Sequence, residues 1–137
     1  MIKGVQLIEL PKIKDPRGNL SFFENSNQIP FDIKRTYWIY DVPGGETRGG
    51  HAFMASHELI VALSGSFDIV LHDGNKEKKY SLNRSYHGLY VPNLLWRRLE
   101  NFSTNSLALI VSSISYDGDD YIRDFEEFKT IIDGTKR

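Results

Sequence analysis

From Val5 to Ser112 the chain is a series of short apolar and β-branched runs, each closed by a turn signal. Val5–Leu10 ends at Pro11, and Asp15-Pro16-Arg17-Gly18-Asn19 is a strong turn. Leu20–Glu24 and Ile33–Val42 follow; the second carries Thr36, Tyr37, Trp38, Ile39 and Tyr40, residues suited to a pleated surface. Leu59–Leu63 and Phe67–Leu71 flank Ser64-Gly65-Ser66 and read as a hairpin. His72-Asp73-Gly74-Asn75 marks the next turn, and Gly88–Val91, Trp96–Leu99 and Leu107–Ser112 complete the β region. Only the last segment changes period. From Asp119 to Asp133, apolar Tyr121, Ile122, Phe125, Phe128, Ile131 and Ile132 recur at spacings of three and four. That predicts an amphipathic helix stopped by Gly134, with Asp119 or Asp120 as its cap. Many short strands in a chain of 137 residues, with no repeat or linker, point to one all-β domain over 1–137. The expected architecture is a sandwich or jelly-roll β-barrel with a short C-terminal helix.

Composition narrows the function classes. A net charge of −1 with Lys and Arg dispersed along the chain leaves no footprint for nucleic acid or an anionic membrane. Zero cysteines remove disulfides, thiolate zinc ligands and a cysteine nucleophile together. No apolar run reaches the roughly 20 residues of a spanning helix, and Met1-Ile2-Lys3-Gly4 lacks the pattern of a signal peptide. The expectation is a soluble, cytoplasmic protein.

One stretch carries chemistry. Gly45, His51, Phe53, Glu58 and Gly65 keep the spacing of a cupin metal motif, in which His-x-His and a glutamate share a cavity-facing strand side. Here Phe53 stands where the second histidine belongs. In the second motif Pro92 and Asn101 hold the expected offsets, and Arg97 falls where a third histidine would be. A phenyl ring cannot coordinate, and a guanidinium stays charged and repels a cation. Two remaining ligands do not make a specific divalent site, so no metal and no other cofactor is expected. His51 is left as a candidate base, with Arg48 three residues upstream. Arg17, Arg35 and Arg97 are further cations on segments that could converge. Tyr37, Tyr40 and Tyr90 bring phenols, and Trp96 a flat ring. Arginine forks suit phosphates and aromatic faces suit a nucleobase, as in a nucleotide sugar. The blander alternative is that these are packed or solvated residues of a small-molecule-binding barrel. His57, His72 and His87 are read in that way, and strand parity sends His57 to the face opposite His51.

The chain also resembles a known family, the WxcM-like cupin sugar 3,4-ketoisomerases that act on dTDP-4-keto-6-deoxyglucose. The resemblance rests on Asp15-Pro16-Arg17-Gly18, on Ile29 to Tyr37 and on Arg48-Gly49-Gly50-His51-Ala52. Leu63 to Ser66, Gly88 to Pro92, Trp96, Tyr116-Asp117 and Asp120-Tyr121-Ile122-Arg123 extend it over nearly the whole chain. It implies a jelly-roll homodimer and a metal-independent shift of a ketone from C4 to C3 of a dTDP-linked 6-deoxyhexose, toward amination at C3. His51 would be the base, Arg48 or Tyr37 would stabilise the enediolate oxygen, and Arg17, Arg35, Tyr90, Trp96 and Arg97 would hold substrate. The family pattern places a second histidine where this chain has Phe53, and commonly a histidine at Arg97. A dTDP-sugar 3,5-epimerase and a non-catalytic nucleotide-sugar module are the rival readings.

Overall fold

A computed structural model describes residues 2–135. Its elements in chain order are β1 (Gln6–Glu9), β2 (Lys12–Ile13), β3 (Leu20–Ser21), β4 (Arg35–Tyr40), β5 (Arg48–Phe53) and β6 (Glu58–Ser64). They continue as β7 (Phe67–His72), β8 (Glu77–Leu82), β9 (His87–Val91), β10 (Trp96–Glu100) and β11 (Leu107–Ser112). A 3₁₀ turn at Gly118–Asp120 leads into β12 (Tyr121–Ile122) and the helix α1 (Phe125–Thr135). One sheet has the order β1-β9-β6-β11-β4, the other β12-β5-β10-β7-β8, and β2 pairs with β3 as a separate hairpin. The strand pairs within the sheets are antiparallel. This is the expected all-β, jelly-roll architecture.

The two sheets face each other across one core. Ile39, Ile60, Ala62, Leu89 and Ile110 from the first sheet meet Phe67, Ile69, Leu71, Leu82 and Leu99 from the second. Both outer faces are also covered in part. Leu10, Ile29 and Phe31 pack on Leu59, Val61 and Val111 outside the first sheet. Phe128 and Ile132 of α1 pack on Ala52 and Ile122 outside the second. Strand β6 is therefore buried on both faces, which is why Leu59 to Ala62 are continuously apolar.

Two expectations are corrected. Ser64-Gly65-Ser66 is not a hairpin turn: β6 pairs with β9 and β11, whereas β7 pairs with β8 and β10. The turn carries the chain from one sheet to the other. Gly65 has φ +68°, and a Cβ there would run into Ser103 and Ser106, so glycine is required by conformation and by space. The C-terminal helix also begins later than its period suggests. Tyr121 and Ile122 pair with Phe53 and Ala52 as a strand. Asp124 caps α1 through Glu127 N–H at 3.1 Å, and Gly134 lies within its last turn. Asp119 and Asp120 are not its caps; the 3₁₀ turn holds both. Among the described residues, no helix is long and apolar enough to cross a membrane.

Candidate active site

Opposite His51, strand β5 carries one extra residue. His51 pairs with Arg97 and Arg48 with Leu99, so two residues of β5 face one of β10 between those pairs. Gly49 supplies the bend with φ +76°. The bulge brings Arg48 and His51 to the same opening. There β4 contributes Arg35 and Tyr37, β10 contributes Arg97, and the β12 segment contributes Tyr121 and Arg123. These side chains line a cavity of about 440 Å³ in which four arginines and no carboxylate take part.

Beneath the cavity lies a buried polar network. Arg97 and Glu58 are 2 % and 1 % exposed, and Arg97 Nη1 lies 2.8 Å from Glu58 Oε1. The two groups form a buried ion pair, and Arg97 Nε, Arg97 Nη1 and Glu58 Oε1 have no hydrogen-bond partner among the described residues. Glu58 Oε2 accepts from the Tyr37 hydroxyl at 2.6 Å and from Ser112 at 2.9 Å. Arg97 Nη2 donates to the Tyr37 oxygen at 2.9 Å and contacts His51 Nε2 at 3.1 Å. Burial works to lower the Arg97 pKa, but the Glu58 carboxylate and Tyr37 outweigh it and the group is held more firmly protonated. A cation would have to displace this guanidinium from Glu58. Among the described residues no three His, Asp or Glu side chains converge on a point. The donor set does not fit a cupin metal.

His51 is a neutral imidazole here. Burial first, then the charges of Arg97, Arg123 and Arg35, push its pKa down to about 3. Because a guanidinium can only donate, Nε2 is the acceptor and Nδ1 carries the proton. The Tyr37 phenol is pushed well above its ordinary pKa by burial, against the pull of Arg97 and with the push of Glu58. Its proton is committed to Glu58 and its oxygen to Arg97, so it has nothing to give a substrate oxygen.

Of the residues singled out in the sequence, His51, Tyr37, Arg48, Arg35 and Arg97 come together. Arg17, Tyr90 and Trp96 do not, and neither does Tyr40, which is 60 % exposed on β4. Arg17 sits on the exposed β2–β3 turn, its side chain 90 % exposed and paired with Asp15 at 3.0 Å. Tyr90 belongs to the outer face of the first sheet, bonded to His57 Nδ1 at 2.6 Å and packed near Phe31. Trp96 stacks edge-on against Phe125, under α1. Within one chain none of them lines the cavity, because strand parity or turn position aims each one elsewhere. Sequence reasoning missed Tyr121 and Arg123 as cavity residues by absorbing Tyr121 into the helical period. Their signal was the Asp120-Tyr121-Ile122-Arg123 stretch, which forms part of the family resemblance.

The model of the FdtA family (WxcM-like, C-terminal) matches residues 3–133. The chain belongs to this family. It is 39% identical over 127 residues to the TDP-4-oxo-6-deoxy-α-D-glucose-3,4-oxoisomerase of Aneurinibacillus thermoaerophilus, covering 93% of this chain and 91% of that one. The sugar 3,4-ketoisomerase of Thermoanaerobacterium thermosaccharolyticum, solved with TDP, superposes with a TM-score of 0.96 at 35% identity, covering 100% of both chains. The TDP-quinovose 3,4-ketoisomerase of Campylobacter jejuni gives a TM-score of 0.90 at 40% identity, over 94% of this chain and 99% of that one.

Proposed function

We propose that this family member isomerises TDP-4-keto-6-deoxyglucose, moving the ketone from C4 to C3, and that His51 is the base. The observation that carries the reading is an uncharged imidazole at the foot of a cavity lined by four arginines. Relatives with the 3,4-ketoisomerase activity share its fold over nearly their whole length. Arg35 and Arg123 suit a diphosphate, which offers acceptors for forked N–H groups. The carbonyl at C4 acidifies the C3 hydrogen, and His51 removes it as a proton. Negative charge then develops on the C4 oxygen, and the Arg48 guanidinium at the cavity opening offsets it. Tyr37 is a positioning residue in this account, since both of its polar capacities are spent on Glu58 and Arg97. Cavity binding by Arg17, Tyr90 and Trp96 does not enter it. The reading includes a cytoplasmic homodimer, supported for the dimer by exposed Trp38 and Tyr40 on the unpaired edge of β4.

The test is incubation with TDP-4-keto-6-deoxyglucose in D2O, following each sugar carbon by NMR. Exchange at C3 with appearance of the 3-keto product is expected. Exchange at C5 would instead mark a 3,5-epimerase, and no exchange at any carbon a binding module. His51→Asn should lower turnover by roughly 10²–10⁴-fold while TDP still binds. A variant that turns over like its parent would remove His51 from the mechanism.

A further inference from the structure

The reaction needs a second proton movement that His51 cannot perform alone. While the carbon proton leaves C3 and arrives at C4, a proton must also pass from the C3 hydroxyl to the C4 oxygen. Phe53, two residues along β5, has no proton to offer. It is 6 % exposed, lies behind the cavity wall, and packs edge-on against both His51 and Tyr121, with ring centroids 4.8 and 4.7 Å apart. Arginines hold their protons too tightly to act as acids. The Tyr37 proton is committed to Glu58.

One hydroxyl of the cavity lining is left. Tyr121 is the register partner of Phe53 across β12 and β5, and its ring centroid lies 4.9 Å from that of His51. Arg35 Nη1 donates to the Tyr121 oxygen at 2.9 Å, and no described residue accepts the Tyr121 proton. The hydroxyl thus has its acceptor side fixed and its proton free, with a guanidinium already aimed at the oxygen that becomes negative when the proton leaves. The Arg123 guanidinium covers the ring at 4.2 Å.

Resting on the ketoisomerase reading above, we propose that Tyr121 is the catalytic acid and base for the two sugar oxygens. In the first half, His51 takes the C3 proton and the C–H electrons form the C3=C4 bond. The C4 carbonyl π electrons move onto oxygen, which takes the Tyr121 proton. An enediol, an imidazolium and a phenolate result. In the second half the phenolate takes the proton of the C3 hydroxyl, whose O–H electrons form the C3 carbonyl. The C3=C4 electrons collect the imidazolium proton at C4. Both side chains end as they began, and no co-reactant is consumed.

The experiment compares the parent with Tyr121→Phe and with an enzyme carrying 3,5-difluorotyrosine at position 121. Tyr121→Phe is expected to lose roughly 10²–10⁴ in kcat with TDP affinity unchanged. The fluorinated enzyme, which keeps an acidic hydroxyl of nearly the same size, should turn over. Its high-pH limb of activity should lie at lower pH than the parent's. A Tyr121→Phe enzyme as fast as the parent, or a high-pH limb that does not move, would overturn the assignment. Failure of the parent itself to form the 3-keto sugar would be a failure of the ketoisomerase reading and would take the assignment with it.

Discussion

A base held at a pKa of about 3 is fully available at neutral pH but has little affinity for a carbon-bound proton. The causes of the shift suggest how the site answers this. After burial, the opposing charges are Arg97, Arg123 and Arg35, and two of these, Arg35 and Arg123, reach the opening where a diphosphate would lie. Bound phosphates would neutralise their effect on the imidazole, leaving burial and Arg97. Pairing Arg35 and Arg123 with phosphate therefore works to raise the His51 pKa. Cations lower a histidine pKa, so pairing them with anions raises it. In kcat/KM, which reports the free enzyme, activity should be flat across the usual histidine range near pH 6.5, with its acidic limb far below. In kcat, which reports the complex, the acidic limb should sit at higher pH. Initial rates measured from pH 4.5 to 8 should show kcat/KM flat at low substrate and kcat declining toward the acid end at saturating substrate; a kcat as flat as kcat/KM would refute the coupling.

At the scale of elements, the two-residue strand β12 matters out of proportion to its length. It carries Tyr121 to the cavity edge and is held by few bonds besides its pairing with β5. Met54 N–H donates to the Asp120 carbonyl at 2.9 Å. The Asp120 carboxylate, 7 % exposed, accepts from Ala55 N–H at 2.7 Å and Ser56 N–H at 3.1 Å. Hydrogen bonds to a buried charged acceptor contribute about 1.5–3 kcal/mol each. Asp120→Ala should cost about 3 kcal/mol or more of folding stability in urea denaturation and lower kcat more than TDP affinity; a smaller loss with full activity would show that β12 needs no such anchor. This is also where sequence reading failed. The strands Leu107–Ser112 and Trp96–Glu100 were legible because alternation and β-branched residues act locally. β12 is too short to carry a period, and its neighbours Phe125 and Phe128 share an apolar spacing with Tyr121 and Ile122. β8, Glu77–Leu82, gave no signal because most of it faces solvent with charged side chains. The pairing of β6 and β7 was misread because a turn says that the chain reverses, not which sheet receives it. At the site, His51 was legible from its motif, whereas Arg97 could be excluded as a metal ligand but not foreseen as the buried partner of Glu58.

Across the whole molecule, the net charge of −1 conceals a sharp local asymmetry, since the cavity gathers four of the chain's cations between the ends of the two sheets. A second asymmetry concerns apolar surface. The first sheet ends at β4, whose far edge is unpaired, with Trp38 57 % and Tyr40 60 % exposed on the same side of the strand. The β2–β3 hairpin adds Ile13 and Leu20, each 55 % exposed and paired in register with each other. An exposed edge strand bearing large aromatic residues is a template for association, and soluble proteins normally blunt such an edge with charge, proline or a covering segment. Arg35 opens β4 and Asp41 and Pro43 follow it, but Trp38 and Tyr40 themselves stay exposed. A stable interface needs about 800 Å² from each partner, which is close to a tenth of the 7953 Å² that this chain exposes. The edge and its neighbouring aromatic rings are placed to supply part of it. Sedimentation equilibrium at micromolar concentration should give twice the chain mass of 15.8 kDa, and the double variant Trp38→Glu with Tyr40→Glu should sediment as a single chain. A parent protein that runs as a monomer would refute the dimer; a variant that stays dimeric would move the interface away from β4.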